Sequence, residues 1–201
     1  MTDHDVRPDG RSAVSDVGTS VRAAPARLGA VRLVCVDGPA GSGKTTFAGP
    51  LGAELDAQVL HMDDLYEGWS GLADAWRRLA VWVLEPLAQG EPGRYRRYDW
   101  AAGEFAEWHD VPVAPVLVVE GCGSAPRAVD GWASLVVWIE APREVRIARG
   151  VARDGAAVLE HWIPWMAQED AVFAVEGTRD RADVTVDGFG RVVNRRTGAS
   201  R

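Results

Sequence analysis

Apolar residues in this chain follow two rhythms. Short, nearly continuous apolar runs stand at Val31–Val36, Gln58–Met62, Pro115–Val119 and Leu135–Ile139, and a shorter run lies within Arg181–Gly188. Such runs suit strands of a parallel sheet covered on both faces. Between them, Leu72, Ala75, Trp76, Leu79, Val83 and Leu87 recur at helical spacing, so residues 72–88 predict an amphipathic helix, ended by Gly90-Glu91-Pro92-Gly93. Further helices are expected over Lys44–Leu55, where Gly49-Pro50 should bend or shorten the first segment, from Ala141-Pro142 onward, and over Ala156–Glu176 with a bend at Pro164. Arg94–Trp100 alternates Tyr with Arg and predicts a short strand. Alternating strands and helices give an α/β class, with a mainly parallel sheet flanked by helices. Residues 1–28 are polar and without periodicity and are expected to be a disordered tail, which leaves 29–201 as one domain; residues past the last strand are expected to fray.

Composition narrows the partners. With 201 residues, 47% hydrophobic and 25% charged, the chain is long enough for one well-cored globular domain. A formal charge of −7 argues against nucleic acid or an anionic membrane as the main partner. Cys35 and Cys122 lack metal-ligand spacing and read as reduced thiols, so a cytoplasmic protein is expected. No apolar run is long enough to span a bilayer, and the first residues lack a signal-peptide core.

The chemistry begins after the first strand. Gly38-Pro39-Ala40-Gly41-Ser42-Gly43-Lys44-Thr45 fits G-x-x-x-x-G-K-[ST] between a strand and a helix, the setting of a phosphate-binding P-loop. Glycines let consecutive backbone N–H groups turn inward toward a polyphosphate, and the helix start adds partial positive charge. Gly38, Ala40, Gly41, Ser42, Gly43, Lys44, Thr45 and Thr46 are therefore expected around the phosphates of ATP. Lys44 would reach the β- and γ-phosphates, and the Thr45 hydroxyl would ligate Mg²⁺. Lys44 is also the only lysine in the chain, where every other basic side chain is arginine or histidine. A compact ammonium is kept where a planar guanidinium would not serve.

Three further clusters carry candidate chemistry. Asp63-Asp64-Leu65-Tyr66 follows the second strand, at the sheet edge where open α/β folds bind ligands; Asp63 is a candidate base, and Asp64 either a cap or a support for it. Glu120 directly follows an apolar strand, the place of a carboxylate that holds Mg²⁺. Tyr98-Asp99-Trp100 could stack on a planar substrate and bind a sugar hydroxyl, or could simply be an edge strand with a solvated basic face. Arg146, Arg149 and Arg153 lie three and four apart on one helical face and could clamp a transferring phosphoryl group, although such rows are often only solvated.

Taken together, these motifs resemble the uridine kinase-like branch of the P-loop nucleoside and small-metabolite kinases. The resemblance rests on Gly38–Thr45, Asp63-Asp64-Leu65-Tyr66, Tyr98-Asp99-Trp100, Val118-Val119-Glu120-Gly121, the Arg146/Arg149/Arg153-Asp154 pattern and Arg181-Ala182-Asp183-Val184. It implies a P-loop NTPase fold with about five parallel strands and an arginine-rich helical lid, binding ATP and Mg²⁺. It implies γ-phosphoryl transfer to a hydroxyl of a small-molecule acceptor, with Lys44, Asp63, Arg146 and Arg153 catalytic, Arg149 on the nucleotide, and Thr45 and Glu120 on the metal. Asp63, Tyr66, Tyr98, Asp99 and Trp100 would face the acceptor. The chain departs from the family after each acceptor motif: Trp69–Asp74 lacks Asp-His-Pro, and Ala101-Ala102-Gly103 stands where a histidine is usual. A kinase of another acceptor (a sugar, a pantothenate-like acid, an antibiotic) and a non-catalytic ATP-binding regulatory module remain as alternatives.

Overall fold

A computed structural model describes residues 12–196. Eight strands form: β1 (Arg32–Asp37), β2 (Gln58–His61), β3 (Gly93–Asp99), β4 (Glu104–Val111), β5 (Val116–Glu120), β6 (Ala133–Glu140), β7 (Val184–Asp187) and β8 (Val192–Arg195). Six of them make one sheet in the order β2-β5-β1-β6-β7-β8. Its first five strands are parallel and β8 returns antiparallel to β7. β3 and β4 form a separate antiparallel hairpin.

Helices cover both faces: α1 (Ala13–Ala23), α2 (Lys44–Leu55), α3 (Leu72–Leu79), α4 (Glu85–Ala88), α5 (Arg143–Asp154), α6 (Leu159–Glu176) and α7 (Thr178–Arg181). α3 and α4 are one helical stretch joined by a π turn at Ala80–Leu84. Pro86 has no N–H for the Trp82 carbonyl, and the wider turn before it absorbs that mismatch.

Strand residues alternate between two cores, as a two-residue side-chain period requires. Leu33, Cys35, Leu117, Val119 and Val136 face α3, α4 and α6. Val34, Val36, Val118, Val137 and Ile139 face α1 and α2. No helix among the described residues is long and apolar enough to cross a membrane.

Residues 12–28 depart from the expected disordered tail; Met1–Arg11 lie outside the described residues. α1 is capped by Ser12, whose side chain accepts from the Ser15 N–H. Ala13, Val17 and Val21 recur every four residues and bury one stripe beside Phe47 and Leu51. Arg22 pairs with Glu54 at 3.0 Å and Arg195 with Asp16 at 3.2 Å, tying α1 to α2 and β8. The expected frayed end is likewise corrected at β8, because Val192–Arg195 completes the sheet edge.

Candidate active site

Strand register assembles the site. Val36 of β1 and His61 of β2 both sit level with Glu120 of β5, so three strand ends meet at one edge. From β1 the chain turns through the P-loop into α2, and from β2 it enters a 3₁₀ turn at Met62–Asp64. Gly41 has φ +75, and a Cβ there would lie 2.8 Å from the Arg146 carbonyl, so the loop and α5 can touch only through glycine.

The resulting cleft holds 610 Å³, with Lys44, Thr45, Asp63 and Glu120 on its floor. Lys44 Nζ donates to the Pro39 carbonyl at 3.1 Å and lies 3.5 Å from Cys122 Sγ. Burial alone would lower its pKa, yet the value is raised, with Cys122, Glu120, Asp63 and Glu169 opposing the burial. Burial also pushes the Cys122 thiol up, so at neutral pH it carries no charge and the three carboxylates hold the ammonium.

Glu120 Oε1 accepts from Thr45 Oγ1 at 2.9 Å and from His61 Nδ1 at 2.6 Å. Burial acts to raise the Glu120 pKa, but the His61 ring, Lys44 and Thr45 outweigh it and keep the carboxylate ionised. His61 is held above its usual range by the same bond. Asp63 shifts the other way: although open to the cleft's solvent, it sits deep between walls, and desolvation plus repulsion from Glu120 raises its pKa. Among the described residues no three His, Cys, Asp or Glu converge on one metal position. The Thr45–Glu120 oxygen pair fits Mg²⁺, which takes one or two protein ligands and fills its octahedron with phosphate and water. Ser42 Oγ, buried in the loop, has no protein partner.

The three arginines of α5 have three different places. Arg146 turns inward, buried beneath the P-loop, and donates to Glu169 Oε1 at 2.7 Å and to the Ala40 carbonyl at 3.2 Å. Glu169 Oε2 in turn accepts from the Ala40 N–H at 2.8 Å. Arg146 therefore braces the loop and does not line the cleft, contrary to its expected catalytic place. Arg149 donates to the carbonyls of Gly41, Ser42 and Gly188, strapping the loop to the end of β7. Only Arg153 is exposed, paired with Asp154 at 2.7 Å on the cleft wall.

The expected acceptor residues also divide. Tyr66 and Trp100 line the cleft. The Tyr66 hydroxyl donates to the Cys122 carbonyl at 2.8 Å and Trp100 Nε1 to the Asp63 carbonyl at 3.0 Å. Asp99 is instead the turn residue of the β3–β4 hairpin: Oδ1 accepts from the N–H groups of Ala101 and Ala102, and Oδ2 faces Arg97 at 3.1 Å. Tyr98 is buried behind Trp100 and against Phe105. Neither reaches the cleft lining. Asp64 supports the site from outside, accepting from the Tyr95 hydroxyl at 3.1 Å.

No family model matches this chain, and no curated protein is significantly similar to it. Solved structures do match. One is a possible uridine kinase from Bacillus stearothermophilus, with a TM-score of 0.63 and 19% identity over 87% of this chain and 97% of that one. Another is a candidate fructose transport system kinase from Silicibacter sp., at 0.59 and 21% over 86% and 96%. The shared feature is the fold.

Several residues of the site were not foreseen from sequence. His61 and Glu169 lack any motif, and Trp69, Trp162 and Trp165 carried no assigned role. Trp162, Trp165, Met166 and Glu169 do show a buried stripe at helical spacing, which was the available signal. A second cavity of 950 Å³ lies across Arg149 and Thr46, between Phe189 and the start of α1 at Ser12 and Val14.

Proposed function

We propose that this chain is an ATP- and Mg²⁺-dependent kinase that transfers the γ-phosphoryl group to a hydroxyl of a small metabolite. One juxtaposition carries the reading: Lys44, the Thr45–Glu120 pair and the Asp63 carboxylate share a single cleft. P-loop amides and Lys44 grip the β- and γ-phosphates, and the cavity across Arg149 gives the nucleoside room. Thr45 and Glu120 would hold Mg²⁺, which would supply neutralisation of phosphate charge when bound.

Asp63 orients the acceptor hydroxyl and takes its proton as the oxygen bonds to the γ-phosphorus and the bond to ADP breaks. Its raised pKa makes it a stronger base than an ordinary aspartate. Arg153, on the cleft wall beside Asp154, would meet charge on the transferring group. A carboxylate opposite Lys44 has no task in a module that only binds ATP, which favours the kinase over that alternative.

The test is an ADP-release screen over nucleosides, sugars, pantothenate and aryl alcohols, with Lys44→Ala as the blank. One acceptor class should stimulate release, and Asp63→Asn should remove that stimulation while still binding an unreactive ATP analogue. Full acceptor-stimulated release by Asp63→Asn would show the base assignment to be wrong.

A further inference from the structure

Resting on the kinase reading, we infer that the acceptor is an aryl or heteroaryl alcohol: a hydroxyl on a short arm of a planar, mainly apolar ring body. A nucleoside or polyol does not suit the walls. Beyond Asp63 the cleft is bounded by Tyr66, Trp69, Trp100, Trp162 and Trp165. Trp69 is the hub of this wall. It meets Trp100 at 5.2 Å and 66° and Trp165 at 6.0 Å and 82°, and stacks on His161 at 5.2 Å and 12°. Tyr66 meets Trp165 at 4.9 Å and 64°. Rings braced edge-to-face in this way are already ordered before a ligand arrives, so little freedom is lost on binding.

Most polar groups at this end are already committed. The Tyr66 hydroxyl and the Trp100 N–H donate to backbone carbonyls. Asp99, the residue expected to read a sugar hydroxyl, is consumed by its own turn and by Arg97. Asp154 is held by Arg153. Asp63 is left for one hydroxyl, the one that reacts. A polyol would find few partners for its remaining hydroxyls, whereas an apolar ring gains contact with the ring walls. An ammonium would instead meet Lys44 and Arg153, two cations already on this cleft, and choline is the probe that tests it.

The reaction would be the transfer already written, with the aryl alcohol oxygen forming the new bond to phosphorus, its proton passing to Asp63, and ADP leaving.

The experiment is calorimetric titration of the full chain, saturated with Mg²⁺ and an unreactive ATP analogue. Naphthylmethanol, tryptophol and pyridylmethanol are compared with uridine, fructose and choline. At least one aryl alcohol should bind about tenfold more tightly than each of the other three, and Trp100→Ala should weaken it about tenfold. Trp69→Phe, which keeps a ring in the wall, should weaken it less and guards against misfolding of the first variant.

Tighter binding of uridine, fructose or choline, no binding of any aryl alcohol, or an unchanged affinity in Trp100→Ala overturns the inference. Aryl alcohol binding without ADP release by any acceptor would sink the kinase reading and leave only a ring-binding cleft, not an acceptor site. Release stimulated only by a nucleoside or sugar would do the reverse.

Discussion

At the end of the cleft proposed to hold the donor, position is set by backbone and charge: Arg149 ties three carbonyls together, and Glu169 holds both Arg146 and the Ala40 N–H. At the proposed acceptor end the walls are rings packed against rings, drawn from the segment after β2, the β3–β4 hairpin and α6. Phosphates are the same in every nucleotide, so their cradle can be a short stretch of chain with fixed spacing. An acceptor's shape must be met from several directions, and residues distant in sequence supply it. The first is therefore local in sequence, while the second is assembled from distant segments.

The largest effect should come from the donor end. Lys44→Ala should cut turnover by at least about a thousandfold, read as ADP release at saturating acceptor. Asp63→Asn, at the junction of the two ends, should cost about a hundredfold to ten-thousandfold in kcat. Nucleotide affinity measured by titration should fall in the first variant and persist in the second.

Next in size is a contrast inside one helix. Arg146→Ala leaves the buried Glu169 carboxylate without its cation and should lower unfolding free energy by about 3–5 kcal/mol in urea titration. Arg153→Ala, exposed and paired with its neighbour, should change stability by no more than about 0.5 kcal/mol and show its loss in turnover instead. If both variants lost turnover and kept stability, Arg146 would belong to the chemistry after all.

Much of the donor end was legible in the sequence because its cues are local. Gly38–Thr45, the apolar runs and the acids directly after β2 and β5 each lie within a few residues of one another. The full span 72–88 was readable from its apolar spacing, which a π turn interrupts without changing the buried face. Arg146 was misplaced because helical spacing groups residues on a face without saying which way the face turns. Its partner Glu169 lies on another helix, 23 residues away. Tyr98 and Asp99 were misread because alternation signals a strand and says nothing of its partner. β4 is polar on its outward side and carries no apolar run, so the hairpin that occupies Asp99 stayed hidden. The short stripe of α1 was masked by the polar residues around it.

A further test of the donor end uses pH. Asp37 accepts from the N–H groups of Gly38, Gly123 and Ala125, yet its complete burial raises the pKa from 3.8 to about 6. Because the folded state holds this proton more tightly than the unfolded one, its contribution to stability is full below pH 4. That contribution is lost as pH rises through 6, an effect of about 3 kcal/mol. Asp37→Asn should flatten that part of the stability profile, measured as urea midpoints between pH 4 and 7.

A more modest effect is expected at His61. His61→Ala removes one of the two hydrogen bonds that orient Glu120 Oε1 and should weaken Mn²⁺ binding about tenfold. The readout is electron paramagnetic resonance of Mn²⁺ with an unreactive ATP analogue, and His61→Asn should recover part of the loss.

Helix α1 has a consequence for where this chain can be cut. Its stripe of Ala13, Val17 and Val21 shields Phe47 and Leu51 of the helix that begins at Lys44. A shortened version beginning at Ala30 would keep every residue of the phosphate loop and still bare an oily strip along α2. Such a fragment should clump at concentrations where the longer chain stays dispersed, with the fault lying in a missing cover and not in the catalytic parts.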